Sequence, residues 1–422
     1  MKNFIAYITK LLTKLTNFGG NPKISTTREL TPSSIRELKS PYCFSANYKK
    51  RGFRQKKLEQ VQLYQCHDCQ KTFTRQITKG KHYPLPAVLQ GLSLYHLGYS
   101  LEQVCQILKQ KDNYDIQPTS ISNWVKEFES LCRFSRMREY ALKKYAPKDM
   151  IATATLAHRQ LYRYLFHRAK CDLIISDDFK HRRFGPLQEF LEMVPGECPH
   201  QYFQDGLRAS ETPLTFSKTQ MIVRAKQNYA NKLCAFVLQS IKDNKQRHHA
   251  LQKFMLANDS VTVATEVPVY LTKDDLEHMK TQLGFEMYTK SAGTGSTTAV
   301  CKIGTGTPKL ITGHIDILQI RNGQIHILDY KPNAAKERPI EQLTLYAMAL
   351  SRLTGLRLFE FKCAWFDEND YFEFFPLHVL HKPRKGRRRR KVYTMEGIYK
   401  INQEDKKISS LHPINKTNYV IH

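Results

Sequence analysis

The sequence has little of what a membrane protein or a disulfide-bonded secreted domain requires. No apolar run approaches the ~18 residues that a membrane-spanning helix needs. The ten cysteines are scattered through 422 residues, with one close pair at Cys66 and Cys69, unlike the framework of a small disulfide scaffold. We therefore expect a cytoplasmic protein without stable membrane association, long enough for two or three domains.

Acidic residues are scarce relative to basic ones. The 66 lysines and arginines face 38 aspartates and glutamates, which gives a formal net charge of +28. Such an excess repels itself unless a polyanion is the partner, and nucleic acid is the first candidate. An anionic membrane surface is the second, and charge alone does not separate the two. The basic run at 384–391, which includes Arg387 and Arg388, is suited to phosphate contacts, although localisation signals have the same composition.

A β-hairpin is predicted around Asn322-Gly323. Runs rich in β-branched residues flank this dipeptide, and both central residues of a type I′ turn need a positive φ, which Asn and Gly tolerate best. If these are the two loop residues, the register places Asp316 opposite Asp329. It also places His314 opposite Lys331, so four polar side chains project from one face.

Two carboxylates that face each other across a hairpin repel unless a cation lies between them. Asp316 and Asp329 therefore predict a site for a hard divalent ion such as Mg²⁺ or Mn²⁺, with Lys331 beside it. The alternative is a solvated polar face of an antiparallel pair. The remaining residues of that face are apolar and favour a buried site: Leu318, Ile320, Ile325 and Ile327.

Three further residues are candidates for the same site. A helix predicted from about residue 340 to 353 places Gln342 and Tyr346 four positions apart on one side, although Tyr346 is also a plausible core residue. Glu266 lies on an alternating strand at 261–269 and could supply a third carboxylate. Alternatively, it is a solvent-facing residue at a strand end, because Pro268 favours an edge or strand end.

In chain order, Gly313-x-x-Asp316, Asp329-x-Lys331 and Gln342-x-x-x-Tyr346 resemble the motifs of the PD-(D/E)xK nucleases, and among them the RecB-like group. The similarity runs from about residue 261 to 377. It implies an α/β restriction-endonuclease-like core, a mixed sheet flanked by helices, that hydrolyses DNA with Mg²⁺ or Mn²⁺. Asp316, Asp329 and Glu266 would then be the metal ligands, and Lys331, Gln342 and Tyr346 would complete the catalytic set.

The resemblance also bears on two other groups. RecB-like members often carry a metal-binding histidine on the first nuclease helix, where His248 and His249 are candidates here without a clear motif. Iron–sulfur relatives carry a downstream cysteine cluster, whereas this sequence has only Cys363 on the corresponding strand. We therefore expect no iron–sulfur cluster.

The N-terminal region has the layout of a zinc ribbon followed by a helix-turn-helix. Cys43, Cys66 and Cys69 are candidate zinc ligands, but Ser40 stands where a fourth thiolate is expected, so the fold is either zinc-bound or a metal-free remnant. Ser100 is expected to cap the first of two helices. The second would present its polar positions to a major groove or serve as ordinary core structure: Ser120, Ser122, Asn123 and Lys126.

This order of parts, over about residues 40 to 130, resembles the DNA-binding region of insertion-sequence transposases. No convincing set of three spaced acids for a transposase catalytic core follows it.

The sequence as a whole predicts a multidomain α+β protein. We expect a metal-dependent DNA nuclease with a separate DNA-recognition module, located with DNA in the cytoplasm, and leave a homo-oligomer open. The alternatives are a catalytically inactive DNA-binding clamp or a transposition-associated protein. The expected regions are an amphipathic helix at 1–30, a zinc-ribbon-like region at 31–80, a helix-turn-helix at 81–130, a helical connector with the first nuclease helix at 131–255, the nuclease core at 256–381 and a basic tail at 382–422.

Overall fold

The structure is a computed structural model that describes residues 38–55, 60–74, 83–177, 179–216, 223–225, 228–241, 243–290, 300–302, 308–380, 398–401 and 408–412. The predicted amphipathic helix at 1–30 lies outside these residues, as do Arg387 and Arg388 of the basic run.

A small antiparallel sheet forms the N-terminal region. Its strands are β1 (Tyr48–Gln55), β2 (Gln60–Cys66) and β3 (Thr72–Thr74), in the order β1-β2-β3. Three aromatic rings give it a core, because Tyr64 packs edge-on against Tyr48 at 5.3 Å and stacks on Phe73 at 5.7 Å. The arrangement is compatible with the predicted zinc ribbon.

Four helices follow: α1 (Leu85–His96), α2 (Leu101–Asp112), α3 (Pro118–Glu127) and α4 (Ser135–Lys144). Ser100 caps α2 as predicted, and its hydroxyl accepts from the Gln103 backbone N–H in a capping box. Helices α1 and α3 approach closely at Gly91, where an added Cβ would lie 3.2 Å from both Ile121 and Trp124. The two buried side chains therefore hold α3 with its polar positions on the outer side.

The prediction of a mostly helical connector at 131–255 is wrong in part. Residues 151–167 form a hairpin of two strands, β4 (Ile151–His158) and β5 (Gln160–His167), with Arg159 at the turn in a left-handed conformation (φ 58°). The β propensity of the aromatic residues in β5 outweighs the helical pattern, because this strand gains a partner in the main sheet through Leu165 and Phe166. Helices α5 (Arg168–Asp172), α6 (Gly185–Glu197) and α7 (His200–Asp205) follow.

A mixed nine-stranded sheet organises the rest of the described chain. Besides β4 and β5 it contains β6 (Leu207–Arg208), β8 (Val223–Ala225), β9 (Thr262–Thr272), β12 (Leu310–Arg321), β13 (Gln324–Tyr330), β14 (Phe361–Phe366) and β15 (Tyr371–Phe374). Its order is β4-β5-β9-β12-β13-β14-β15-β8, with β6 paired to β12; the β13–β14 pair is parallel and the β12–β13 pair antiparallel. Two smaller sheets consist of β7 (Leu214–Phe216), β10 (Met287–Lys290) and β11 (Val300–Lys302), and of β16 (Ile398–Ile401) and β17 (Ile408–His412).

Helices cover both faces of this sheet, as the α+β prediction requires. They include α8 (Tyr229–Leu238), α9 (Asn244–Asn258), α10 (Lys273–Thr281), α11 (Ile340–Thr354) and α12 (Pro376–Leu380). On one face Leu318 and Ile327 share a core with Leu343 of α11. On the other, Ile317 and Leu328 share a core with the helices α1 to α3. The helix-turn-helix candidate therefore belongs to the core on this face of the sheet, and it contacts α8 and α9 through Phe128–Phe236 and His96–Asn258.

Within the described part of the chain, none of the helices has the length and apolar character needed to cross a membrane.

Candidate active site

The predicted hairpin is present with its predicted register. Asn322 and Gly323 both have a positive φ, 53° and 71°, and Arg321 pairs with Gln324. The ladder continues to Ile317 opposite Leu328 and ends there. Beyond that point the two strands are no longer paired with each other, although β12 remains paired with β9 and β13 with β14.

This divergence makes one predicted pair wrong. His314 lies opposite Pro268 of β9, not opposite Lys331. Its ring stacks on Tyr162 with 3.6 Å between centroids, on the side of the sheet formed by the β4–β5 hairpin. The turn could fix the register only as far as the two strands remain paired.

Asp316 and Asp329 lie side by side, as predicted. Their carboxyl groups are close enough to share a hydrogen bond, and Asp329 is only 3% exposed. Burial and the charge of Asp316 together raise the pKa of Asp329 well above its ordinary value. The Oδ2 atoms of both aspartates are buried, and each has a basic side chain at ion-pair distance: His248 for Asp316 and Lys331 for Asp329. Two adjacent buried carboxyl groups fit a cation ligand set.

His248 of α9 reaches the same pair. Its Nδ1 lies 3.3 Å from Asp316 Oδ2, at ion-pair distance. Burial favours the neutral form of Asp316, but the adjoining His248 outweighs it, and the pKa of Asp316 lies below its ordinary value. The sequence offered His248 only through the family resemblance, because its contact with Asp316 depends on how α9 packs against the sheet.

Glu266 supplies a third carboxyl group beside Asp316. It is half-buried in β9 with a φ of 53°, between two residues that pair with β12. Gln252 Nε2 donates to Glu266 Oε1 at 2.7 Å. Burial and the charge of Asp316 raise the pKa of Glu266 to about 8. A left-handed glutamate with a perturbed pKa is typical of a functional position, and the half-buried side chain bonded to Gln252 disfavours the solvent-facing alternative.

Contrary to expectation, Pro268 does not mark the end of β9, and β9 is not an edge strand of the sheet. At Pro268, however, β9 is unpaired on its β5 side. The strand continues to Thr272 and lies between β5 and β12. Its ladder with β5 covers only Ala264 and Thr265, so Pro268 lies beyond that pairing.

Lys331 lies at the outer side of the aspartate pair. Its Nζ is 3.0 Å from Asp329 Oδ2, and its side chain is 24% exposed. Burial lowers the pKa of Lys331, but the Asp329 carboxylate outweighs burial and the pKa lies above its ordinary value. The residue therefore brings a permanent positive charge to the site at neutral pH.

Gln342 and Tyr346 of α11 form the inner wall. Gln342 Nε2 donates to Tyr346 Oη at 2.8 Å, and the Tyr346 ring is buried against Gly313 of β12. The Gly-x-x-Asp and Gln-x-x-x-Tyr elements are therefore in direct contact. Because Gly313 has no side chain, the Tyr346 ring fits against the backbone of β12.

A cavity of about 350 Å³ opens over these groups. Its wall includes carboxylates, an arginine and hydrogen-bonding side chains, a combination suited to a phosphate with a bridging cation. The lining residues that the site uses are Arg208, His248, Glu266, Asp316, Gln342 and Tyr346.

The N-terminal cysteines also come together. Cys43 Sγ lies 3.4 Å from Cys66 Sγ, and the sulfur atoms of Cys43, Cys66 and Cys69 all lie within 4.8 Å of one another. Ser40 occupies the fourth corner, since its hydroxyl is 3.4 Å from Cys69 Sγ. Three thiolates around one point could hold zinc.

The four polar positions of α3 differ in exposure. Asn123 and Lys126 are exposed, and Ser120 and Ser122 are half-buried. A contact with DNA through this face stays a prediction.

A family model described as the PD-(D/E)XK nuclease superfamily matches residues 192–403. The chain belongs to the PD-(D/E)XK nuclease superfamily. The match begins within α6, earlier than the predicted boundary of the nuclease core, and so includes α8 and α9. Membership implies metal-dependent hydrolysis of phosphodiester bonds in nucleic acid. Searches of curated proteins and of solved structures gave no match.

Proposed function

We propose that this protein is a DNA nuclease of the RecB-like group that uses Mg²⁺ or Mn²⁺. The observation that carries the proposal is the convergence of the carboxyl groups of Asp329 and Glu266 on Asp316, two of which, Asp316 and Glu266, line an open cavity. Superfamily membership supports the reaction class.

Asp316, Asp329 and Glu266 would hold the metal ion. When bound, the ion supplies Lewis-acid stabilisation of the phosphoryl group and lowers the pKa of a water molecule. The three carboxyl groups bind it in their ionised form, so the protons favoured by the raised pKa values of Asp329 and Glu266 leave on binding.

Lys331 places a fixed positive charge where negative charge develops on the phosphoryl oxygens. Its contact with Asp329 orients the ammonium group before substrate arrives, which is the preorganisation that electrostatic catalysis requires. His248 holds Asp316 from the opposite side, and we propose it as a positioning residue.

The hydrogen bond between Gln342 and Tyr346 fixes two polar groups at the cavity wall. From there they can donate to phosphate oxygens of the bound strand. Arg208 adds a second cation to the same wall.

Basic side chains from α2, α9 and β5 lie close together, and their positive charge supports nucleic acid as the substrate. Lys253 of α9 lies near Arg163 of β5 and Lys111 of α2; burial, Arg163 and Lys111 together lower the pKa of Lys253. His249 adjoins Lys253 and Arg163. Mutual repulsion of this kind is relieved by a bound polyanion.

The N-terminal modules would recognise DNA. The Cys43, Cys66 and Cys69 cluster supports a zinc ribbon, and the packing of α3 leaves Asn123 and Lys126 exposed for groove contacts. The likeness of these modules to insertion-sequence transposases is part of the proposal. A catalytically inactive clamp is disfavoured, since it would have no use for buried, repelling carboxylates.

The test compares linear, nicked and branched DNA with RNA of the same sequence, in Mg²⁺, Mn²⁺ or EDTA. We expect metal-dependent cleavage of DNA that Lys331→Ala abolishes and the exposed-site control Lys336→Ala retains. Tight, salt-sensitive binding without cleavage under any condition would favour the clamp. Preferential cleavage of RNA would contradict the assignment of substrate.

A further inference from the structure

A second cluster of metal-ligating side chains lies beside the active-site cavity, on elements that the proposed hydrolysis does not use. His158 ends β4, Cys198 directly follows α6, and His200 is the first residue of α7, with Pro199 between the two. One nitrogen of each histidine and the Cys198 sulfur all lie within 4.8 Å of one another. The cluster joins two segments that are about 40 residues apart in the chain.

The distances are within about 0.4 Å of those of a tetrahedral site. His158 Nε2 is 2.9 Å from His200 Nδ1 and 3.9 Å from Cys198 Sγ. Zinc bonds of about 2.0–2.1 Å to nitrogen and about 2.3 Å to sulfur would separate two nitrogen ligands by about 3.3 Å and nitrogen from sulfur by about 3.6 Å. Small side-chain rotations reconcile the two sets of distances.

The surroundings of His158 leave the correct nitrogen available. His158 Nδ1 lies 2.8 Å from His314 Nε2; in the tautomer that carries its proton on Nδ1 and donates it to His314, His158 Nε2 is free to act as a ligand on the side of Cys198 and His200. Metal-bound histidines are usually oriented by such a second hydrogen bond. The ring is also held by Phe203, which stacks on it with 3.9 Å between centroids.

We propose that His158, Cys198 and His200 bind one transition-metal ion of the zinc class, with water as the fourth ligand. A thiolate with two imidazoles suits zinc and disfavours Mg²⁺, so this site is chemically distinct from the carboxylate site. Binding displaces the Cys198 thiol proton to solvent. The ion would fasten the segment between α6 and α7 to the end of β4, where His158 and His314 line the active-site cavity.

Cobalt substitution in the full-length protein tests the proposal. The protein is stripped with EDTA, loaded with Co²⁺, and examined for bound equivalents and for the near-ultraviolet band of cobalt–thiolate charge transfer. The wild type should bind one equivalent more than Cys198→Ser and one more than His200→Gln, with a weaker thiolate band in the former. The wild type and the variants share Cys43, Cys66 and Cys69, so cobalt bound by these cysteines cancels when the bound equivalents are compared.

Two matched controls accompany these variants. Cys105→Ser replaces a half-buried cysteine of α2, and His278→Gln replaces an exposed histidine of α10; both should bind as much cobalt as the wild type. Circular dichroism identifies a variant that has not folded, and in that case the other variant decides. Equal cobalt content in the wild type and a folded Cys198→Ser or His200→Gln variant would overturn the proposal in favour of a hydrogen-bonded histidine chain.

Discussion

The Tyr346 ring lies directly against the backbone of Gly313: a Cβ added to the glycine would come within 2.2 Å of Tyr346 Cε1. Two motifs that are separated in sequence by the whole hairpin are thus one packing unit. The glycine lies three residues before Asp316, so the position of the α11 helix and that of Asp316 on β12 depend on each other.

Gly313→Ala should therefore displace Tyr346 and break its hydrogen bond with Gln342. We expect destabilisation of about 1–3 kcal/mol in urea unfolding, the usual cost of overpacking a core, and a loss of nuclease activity. Gly196→Ala is the control, because an added Cβ there meets no atom within 4 Å among the described residues. Equal stability of the two variants would show that the ring moves without cost.

Asp329→Asn should separate stability from metal binding. The pKa of Asp329 is higher in the folded protein than in the unfolded chain, so the protein loses stability as the pH rises from the unfolded pKa to the folded pKa. An amide at this position does not ionise and therefore removes this cost at neutral pH. We expect the metal-free variant to melt at a temperature equal to or above that of the wild type. It should also lose most of the stabilisation that Mn²⁺ gives the wild type. A full Mn²⁺-dependent shift in this variant would remove Asp329 from the ligand set.

Buried histidines should make the protein sensitive to mild acid. His96 Nδ1 lies 2.7 Å from Asn258 Oδ1, and burial lowers the pKa of His96 to about 4. Because the unfolded value is about 6.5, the unfolded chain binds more protons between these two pH values. Stability is complete above about pH 6.5 and falls as the pH drops toward 4, by up to about 3 kcal/mol for this group.

Urea unfolding at about pH 7.5 and pH 5 measures this dependence. His96→Gln should reduce the loss of stability at the lower pH, whereas the exposed-site control His278→Gln should leave it unchanged. Burial also lowers the pKa values of His167 and His326, so part of the dependence will persist in His96→Gln. A wild type equally stable at both pH values would contradict the prediction.

A buried ion pair links α5 to the start of β9. Lys170 Nζ lies 3.5 Å from Asp259 Oδ1 and donates to the Leu256 carbonyl at 2.5 Å, and both charged side chains are fully buried. Asp259→Asn leaves the lysine charge without its partner and should cost about 3–5 kcal/mol in urea unfolding. Burial already lowers the pKa of Lys170 to about 8, so the penalty should shrink above that pH as the lysine becomes neutral. A penalty that is the same at pH 7 and pH 9 would contradict this explanation.

The parts of the site that the sequence predicted are those fixed by local chemistry. Asn322-Gly323 determines the hairpin turn, and the turn determines which residues of β12 face β13 until the ladder ends at Ile317 and Leu328. This places Asp316 beside Asp329 without knowledge of the remaining fold. The Gln342 to Tyr346 spacing likewise follows from one helix period.

The parts that the sequence did not predict depend on packing between distant elements. The side chains of β5 have a mixed pattern that does not distinguish a strand from a helix, and pairing with β9 decides between them. His158 and Cys198 carry no spacing motif, because they meet only when the β4–β5 turn packs against the segment before α7. The hairpin register predicts the wrong neighbour for His314, since no local signal marks where β12 leaves β13.

Single-turnover cleavage of labelled DNA by Asp316→Asn and Asp329→Asn, measured against the wild type in Mg²⁺ or Mn²⁺, tests the central claim most directly. The exposed acid Asp274 provides the matched control Asp274→Asn. We predict a loss of at least about a hundredfold in rate for the two buried aspartates, as expected when a residue that supports transition-state charge is removed, with retained folding and DNA binding. Wild-type cleavage rates in either folded variant would contradict the proposed site.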